Sequence, residues 1–98
     1  MPVIAILELQ LKADALDRAN DVMRETLTAT RAFPGCLDVT VLVDQADPTH
    51  VAVYEQWESP EADAAYRKWR TTADGASNLG TVLAAAPKLT MFTIADDV

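Results

Sequence analysis

Leu37-Asp38-Val39-Thr40-Val41-Leu42-Val43, then Asp44-Gln45-Ala46-Asp47-Pro48-Thr49, then Val51-Ala52-Val53-Tyr54-Glu55-Gln56-Trp57, is the stretch on which the fold turns. Leu37, Val39, Val41 and Val43 alternate with polar or outward positions, which is the period of a half-buried strand. Residues 44–49 carry the turn-forming types, and the run that follows is β-branched and aromatic, so the stretch predicts a β-hairpin. Upstream, 15–30 repeats apolar residues at helical spacing: Leu16, Ala19, Met23, Leu27 and Thr30 share one stripe. Asp14 is placed to cap that helix, and Phe33-Pro34-Gly35 ends it. Before the helix, Val3, Ala5, Leu7, Leu9 and Leu11 line one face of a strand over 3–11, and Ile4 and Ile6 line the other.

Downstream of the hairpin, Ser59-Pro60-Glu61 opens a second helix with an N-cap and a proline at the first helical position. Ala62, Ala65, Tyr66 and Trp69 form its stripe, and Asp63 and Arg67 are spaced as an i,i+4 ion pair. Asp74-Gly75 breaks the chain, a short helical piece is expected over 79–86, and 88–95 reads as a last strand. The order β-α-β-β-α-β predicts an α+β, ferredoxin-like single domain over 1–98, with an antiparallel four-stranded sheet. Both helices then cover one sheet face. Whichever face each strand turns to the helices, apolar residues are left for the other: Ile4 and Ile6 against Leu7 and Leu9, Tyr54 against Trp57, and Phe92 and Ile94 against Leu89 and Met91. A symmetric partner is the simplest cover, so a homodimer is expected.

Composition narrows the partners. The chain has 98 residues, enough for one core. Its 8 basic against 15 acidic residues give a net charge of −7, which disfavours nucleic acid and anionic membrane surfaces. No apolar run approaches the roughly 20 residues that span a bilayer. The N-terminus meets Glu8 without a basic leader, so no signal peptide is expected. The single Cys36 has no partner for an internal disulfide, and the cytoplasm is the expected location.

Phe33-Pro34-Gly35-Cys36-Leu37 and Val53-Tyr54-Glu55-Gln56-Trp57-Glu58-Ser59-Pro60-Glu61-Ala62 resemble two stretches of the antibiotic-biosynthesis-monooxygenase family. In that family a Pro-Gly-Cys turn leads into the second strand, and a Glu-x-Trp strand end runs into a Ser-x-Glu-Ala helix start. The resemblance implies a dimeric α/β barrel, with a cavity between sheet and helices in each protomer. It also implies oxygenation of phenols, quinols or polyketide-like aromatics by O2, without metal or flavin. Many members place a His nine positions after the strand-end Trp, where this chain has Tyr66. Haem-degrading relatives carry a haem-ligating His ten residues further on, where this chain has Ala76, which argues against haem degradation.

Within that expectation Tyr66 is the candidate for proton handling. Trp57, Trp69, Arg70, Asn78 and His50 are candidates for binding an aromatic substrate. Each has a plainer reading: core packing for the tryptophans, a helix C-terminal cation for Arg70, a turn for Asn78 and a solvated strand start for His50. Glu55 and Glu58 bracket Trp57, and one of them is a candidate base, although paired acids at a strand end read more simply as surface or dimer contacts; Cys36 reads as a small apolar residue. One His and one Cys do not build a common zinc site, and three glycines form no phosphate cradle, so no metal and no cofactor are expected. Two other functions fit the same fold: a non-catalytic binding or stress-response dimer, and a cyclase or isomerase with a base in the cavity.

Overall fold

The computed structural model describes residues 1–98. The elements run β1 (Val3–Gln10), α1 (Leu16–Ala32), β2 (Cys36–Asp44), β3 (Asp47–Trp57), α2 (Pro60–Arg70) and β4 (Lys88–Thr93). The strands form one antiparallel sheet in the order β2-β3-β1-β4. This is the ferredoxin-like α+β arrangement that the alternation and helical stripes predict.

The hairpin is tighter than its turn residues suggest. β2 and β3 reach to Asp44 and Asp47, and only Gln45 and Ala46 lie between them. Asp44 Oδ1 accepts from the Ala46 amide at 2.8 Å, and Asp47 Oδ1 from the Thr49 amide at 3.0 Å. These local bonds let the chain turn early. Pro48 survives inside β3 because the ladder slips there, between Val43 opposite Val51 and Asp44 opposite Asp47.

Three local expectations are corrected. Asp14 does not cap α1: a 3-10 turn at Ala13–Ala15 comes first, and the helix begins at Leu16 with no side-chain cap. Burial of Ala15 anchors that turn and leaves Asp14 in solvent. The helical piece near 79–86 is one 3-10 turn, Leu79–Val82, after which Leu83 bridges to Leu11. The Ala84 amide donates to the Gln10 carbonyl at 2.7 Å, so pairing with the end of β1 wins over further helix. On α2, Ala65 is exposed and Asp63 is buried.

Two apolar clusters lie between sheet and helices. Under α1, Ala19, Met23 and Leu27 pack on Leu9, Val39, Val51 and Val53. Under α2, Tyr66 packs on Val3, Ala5 and Trp57, with Phe33 edge-on to the Tyr66 ring at 5.4 Å. Gly35 joins the two halves. Its φ of +89° suits glycine, and a Cβ there would meet the Ala62 Cβ at 2.5 Å. Its carbonyl accepts from the Glu58 amide at 2.9 Å, which ties the turn after α1 to the entrance of α2.

The opposite sheet face is uncovered. Leu42 and Phe92 are about half exposed, and Ile4, Ile6, Ala52 and Tyr54 lie on the same side. β4 is bare on its helix side too, where Leu89 and Met91 are exposed. No helix is long and apolar enough to cross a membrane.

Candidate functional site

Between the two clusters the packing leaves a cavity of about 130 Å³. Leu7, Leu9 and Val53 supply its sheet wall, and Met23 and Leu27 its α1 wall. The polar side is made by Glu55 of β3, Tyr66, Arg67 and Arg70 of α2, and Thr26 of α1. Ser77 and Leu79 close the end. A shallower recess of about 340 Å³ shares Thr26, Arg70 and Ser77 with the cavity and forms its mouth; Trp69, Asp74 and Asn78 line it.

Arg70 is the clamp of the site. Its Nε donates to the Tyr66 hydroxyl at 2.7 Å, and one terminal nitrogen donates to the Thr26 carbonyl at 2.8 Å and Thr30 Oγ1 at 2.9 Å. The other reaches the Gly75 carbonyl at 3.2 Å. Four hydrogen bonds therefore tie its five N–H groups to the protein, and the two to Thr26 and Thr30 bridge α2 to α1. The guanidinium also lies 4.9 Å from the Trp69 ring centre and 5.1 Å from that of Tyr66.

Tyr66 is buried, with its hydroxyl 2.6 Å from Thr30 Oγ1. Two proton arrangements satisfy this cluster. In one, Tyr66 donates to Thr30, and Thr30 donates to the Thr26 carbonyl 3.3 Å away. In the other, Thr30 donates to Tyr66, whose own proton is then free to point elsewhere.

A second polar cluster adjoins the first. Glu55 is only 1% exposed, although strand-end acids more often lie at surfaces. Its Oε1 accepts from Trp57 Nε1 at 3.0 Å and from Arg67 at 2.7 Å. Arg67 also stands 3.0 Å from Asp63 Oδ1, but without the alignment of a hydrogen bond, so that oxygen and Arg67 Nε are buried unpartnered. Two carboxylates thus share one guanidinium beside the cavity.

The sequence candidates separate accordingly. Tyr66 and Arg70 meet at the cavity. Trp57 lies behind its wall, stacked 4.8 Å from the Tyr66 ring and oriented by Glu55. Trp69 and Asn78 sit at the mouth. His50 belongs to neither, because β3 turns it to the opposite sheet face, inside the strand rather than at its start. There its ring nitrogens face Asp44 at 2.9 Å and Glu8 at 3.2 Å; chiefly the Asp44 bond raises its pKa above the ordinary value. Those carboxylates lie on opposite ring nitrogens, so the three groups do not converge on one ion, and no other set does. Cys36 is half-buried, and desolvation raises its thiol pKa.

Glu55, which sequence reading weighed as a base but placed at a surface, and Arg67, Thr26 and Thr30, which it did not assign to the site, complete the site. A signal existed for the first: Val51, Val53, Glu55 and Trp57 alternate, so Glu55 faces inward with its neighbours.

A strand-end Glu bonded to the Trp two residues on, below a helix that opens with Ser-Pro-Glu-Ala, is the local geometry behind the Glu-x-Trp and Ser-x-Glu-Ala pattern. The model of the antibiotic biosynthesis monooxygenase family matches residues 2–74. The chain belongs to that family. Solved structures repeat the fold at low identity. A proposed antibiotic biosynthesis monooxygenase from Nitrosomonas europaea has a TM-score of 0.82 at 18% identity, over 97% of this chain and 91% of that one. Rv0793 from Mycobacterium tuberculosis has a TM-score of 0.79 at 19% identity, over 98% and 97%. SnoaB, a cofactor-independent oxygenase from Streptomyces nogalater, has 0.79 at 16% identity, over 96% and 93%. No curated protein matches this sequence at a meaningful level. Within the antibiotic biosynthesis monooxygenase family, then, this member carries an apolar cavity with one wall built of Glu, Arg and Tyr.

Proposed function

We propose that the chain is a cofactor-independent monooxygenase that oxidises a phenolic or quinol-type aromatic with O2. The observation that carries this reading is the cavity: partly open, mostly apolar, and faced by a few convergent polar groups. An apolar cavity of about 150 Å³ accepts a benzene ring, so one aromatic ring suits the inner space and a larger body extends into the mouth. The substrate gains one oxygen atom and gives up two hydrogens, which leave with the second oxygen atom as water. The protein's part is to bind the ring, favour its anion and exclude water. Family membership and the fold shared with SnoaB support this reading.

Tyr66 is the proposed proton-handling residue, since its hydroxyl proton can be turned from Thr30 toward a bound molecule. Arg70, Trp69 and Asn78 flank the path in, and Trp57 backs the wall. The working unit is proposed to be a homodimer, which would bury the bare apolar sheet face. Light scattering at micromolar concentration tests this, and a monomer of 10.6 kDa would count against it.

A cyclase or isomerase has one observation in its favour, a carboxylate in the cavity wall, since such a reaction needs a base and no oxygen. A filled cavity would have favoured a non-catalytic module. Met23 leaves the space open, Met91 is exposed on β4, and Trp69 lies at the mouth. The deciding experiment is oxygen uptake by the purified protein with hydroquinones and anthrones, with chelator present. Turnover above autoxidation supports the monooxygenase. Substrate loss without oxygen moves the assignment to a cyclase or isomerase.

A further inference from the structure

We infer that Glu55 and Arg67 together are the acid–base site for the substrate, with Glu55 taking the proton of an aromatic hydroxyl and Arg67 holding the resulting phenolate. The inference rests on the aromatic-substrate reading above and names the group that the site recognises.

The two donors that hold Glu55, Trp57 Nε1 and Arg67, meet on the same oxygen, Oε1. Its Oε2 takes no hydrogen bond from the protein and is not among the atoms sealed without a partner. Glu55 lines the cavity and is only 1% exposed in all, so the cavity is where that oxygen finds a donor. Trp57 and Arg67 also fix the carboxyl plane, as a positioned base requires. A phenol or hydroquinone is the chemical class that fits. Its ring fills the apolar space, its hydroxyl donates to Oε2, and its oxygen lies beside a guanidinium.

Charge accounting adds no penalty to the transfer. The phenolic O–H breaks, the proton bonds to Oε2, and the electron pair stays on the substrate oxygen. One negative charge leaves the carboxylate and one appears on the substrate, with the Arg67 cation beside both. No net charge is created in the mostly apolar site, where a new charge would be costly. Arg67 keeps a partner throughout, because Asp63 stands 3.0 Å from it. Arg70, with four hydrogen bonds already made to the protein, has little left for a substrate anion.

The test compares the wild type with Glu55→Gln. Trp57 and Arg67 still require an acceptor, so the glutamine carbonyl takes the place of Oε1 and its NH2 group faces the cavity. The free acceptor becomes a donor while the shape is kept. Binding of hydroquinone and of its dimethyl ether is measured by quenching of tryptophan fluorescence, and oxygen uptake with hydroquinone is followed across pH. Expected is a preference of the wild type for the hydroxyl compound of about tenfold or more, which collapses in Glu55→Gln. Uptake by the variant should fall by about 10²–10⁴-fold at neutral pH and recover as the substrate ionises in solution. A wild type that binds both compounds equally overturns the proposal, and this holds even if Glu55→Gln does not fold. Equal uptake above autoxidation by the two proteins overturns it as well. A wild type that prefers the hydroxyl compound but consumes no oxygen upholds the Glu55–Arg67 site and removes the monooxygenase reading instead.

Discussion

Replacing Tyr66 with Phe tests whether the Arg70 clamp is a structural unit. The substitution removes one oxygen and keeps the ring that packs against Trp57 and Phe33. That oxygen serves two short bonds, 2.7 Å to Arg70 Nε and 2.6 Å to Thr30 Oγ1. Thr30 keeps other partners, since Arg70 still donates to it and the Thr26 carbonyl still accepts from it. The main loss is therefore a charged N–H donor left unpaired in a half-buried place, which costs up to about 1.5–3 kcal/mol, with a smaller term for Thr30. A total of about 2–3 kcal/mol in a domain of this size lowers Tm by roughly 10–20 °C. Urea unfolding followed by circular dichroism should show a lower midpoint with an unchanged slope. Combining Tyr66→Phe with Arg70→Leu should be clearly less damaging than the sum of the two, because they remove one shared interaction. A fall in Tm of under about 3 °C, or additive effects, would refute the clamp argument. Activity must then be read well below the variant's Tm. Loss of kcat with KM retained assigns Tyr66 a part in proton handling, and unchanged kcat leaves it the structural part alone.

Three further outcomes follow from local geometry. The ring of His50 should titrate above its ordinary value of 6.5, by proton NMR, and Asp44→Asn should bring the midpoint down. The protonated form is the one favoured by folding, so its contribution is complete below pH 6.5 and fades as pH rises through the raised midpoint; a midpoint at or below 6.5 contradicts the pairing. The Asp44 side of the pair, depressed by the same bond, is lost instead as pH falls through its lowered value, below the ordinary 3.8. Gly35→Ala should cost about 2–4 kcal/mol in chemical denaturation, from a left-handed φ together with the 2.5 Å approach to Ala62, and a neutral effect would show that the turn can rearrange. Cys36, with its thiol pKa raised by desolvation and by the nearby Glu55, should react with a disulfide reagent more slowly than free cysteine at pH 7.5, as checked by absorbance; faster reaction contradicts this.

The element order was legible because the periods are strong. Val51, Val53 and Trp57 alternate, and Ala19, Met23 and Leu27 recur at helical spacing, so each element shows its type and which of its residues lie together on one side. The tightness of the hairpin and the start of α1 were not legible. They depend on Asx bonds and on burial of Ala15, which compete locally at energies too close for composition to decide.

The site divides the same way. Tyr66 and Arg70 are one helical turn apart, so the sequence alone places them together on α2, and the pattern around Trp57 points to the family. Glu55 looked like a surface acid because carboxylates are seldom fully buried without partners. Its partner Arg67 is 12 positions away on another element and contributes only once α2 lies across β3. Likewise Thr26 and Thr30 lie 44 and 40 positions from Arg70, and their link to it exists only because the two helices share one face of the sheet. Sequence periodicity by itself determined which residues share a face. Which inward groups meet, and that they leave a cavity between them, was decided only by tertiary packing, because charge pairing across elements depends on distance in space and not on position along the chain.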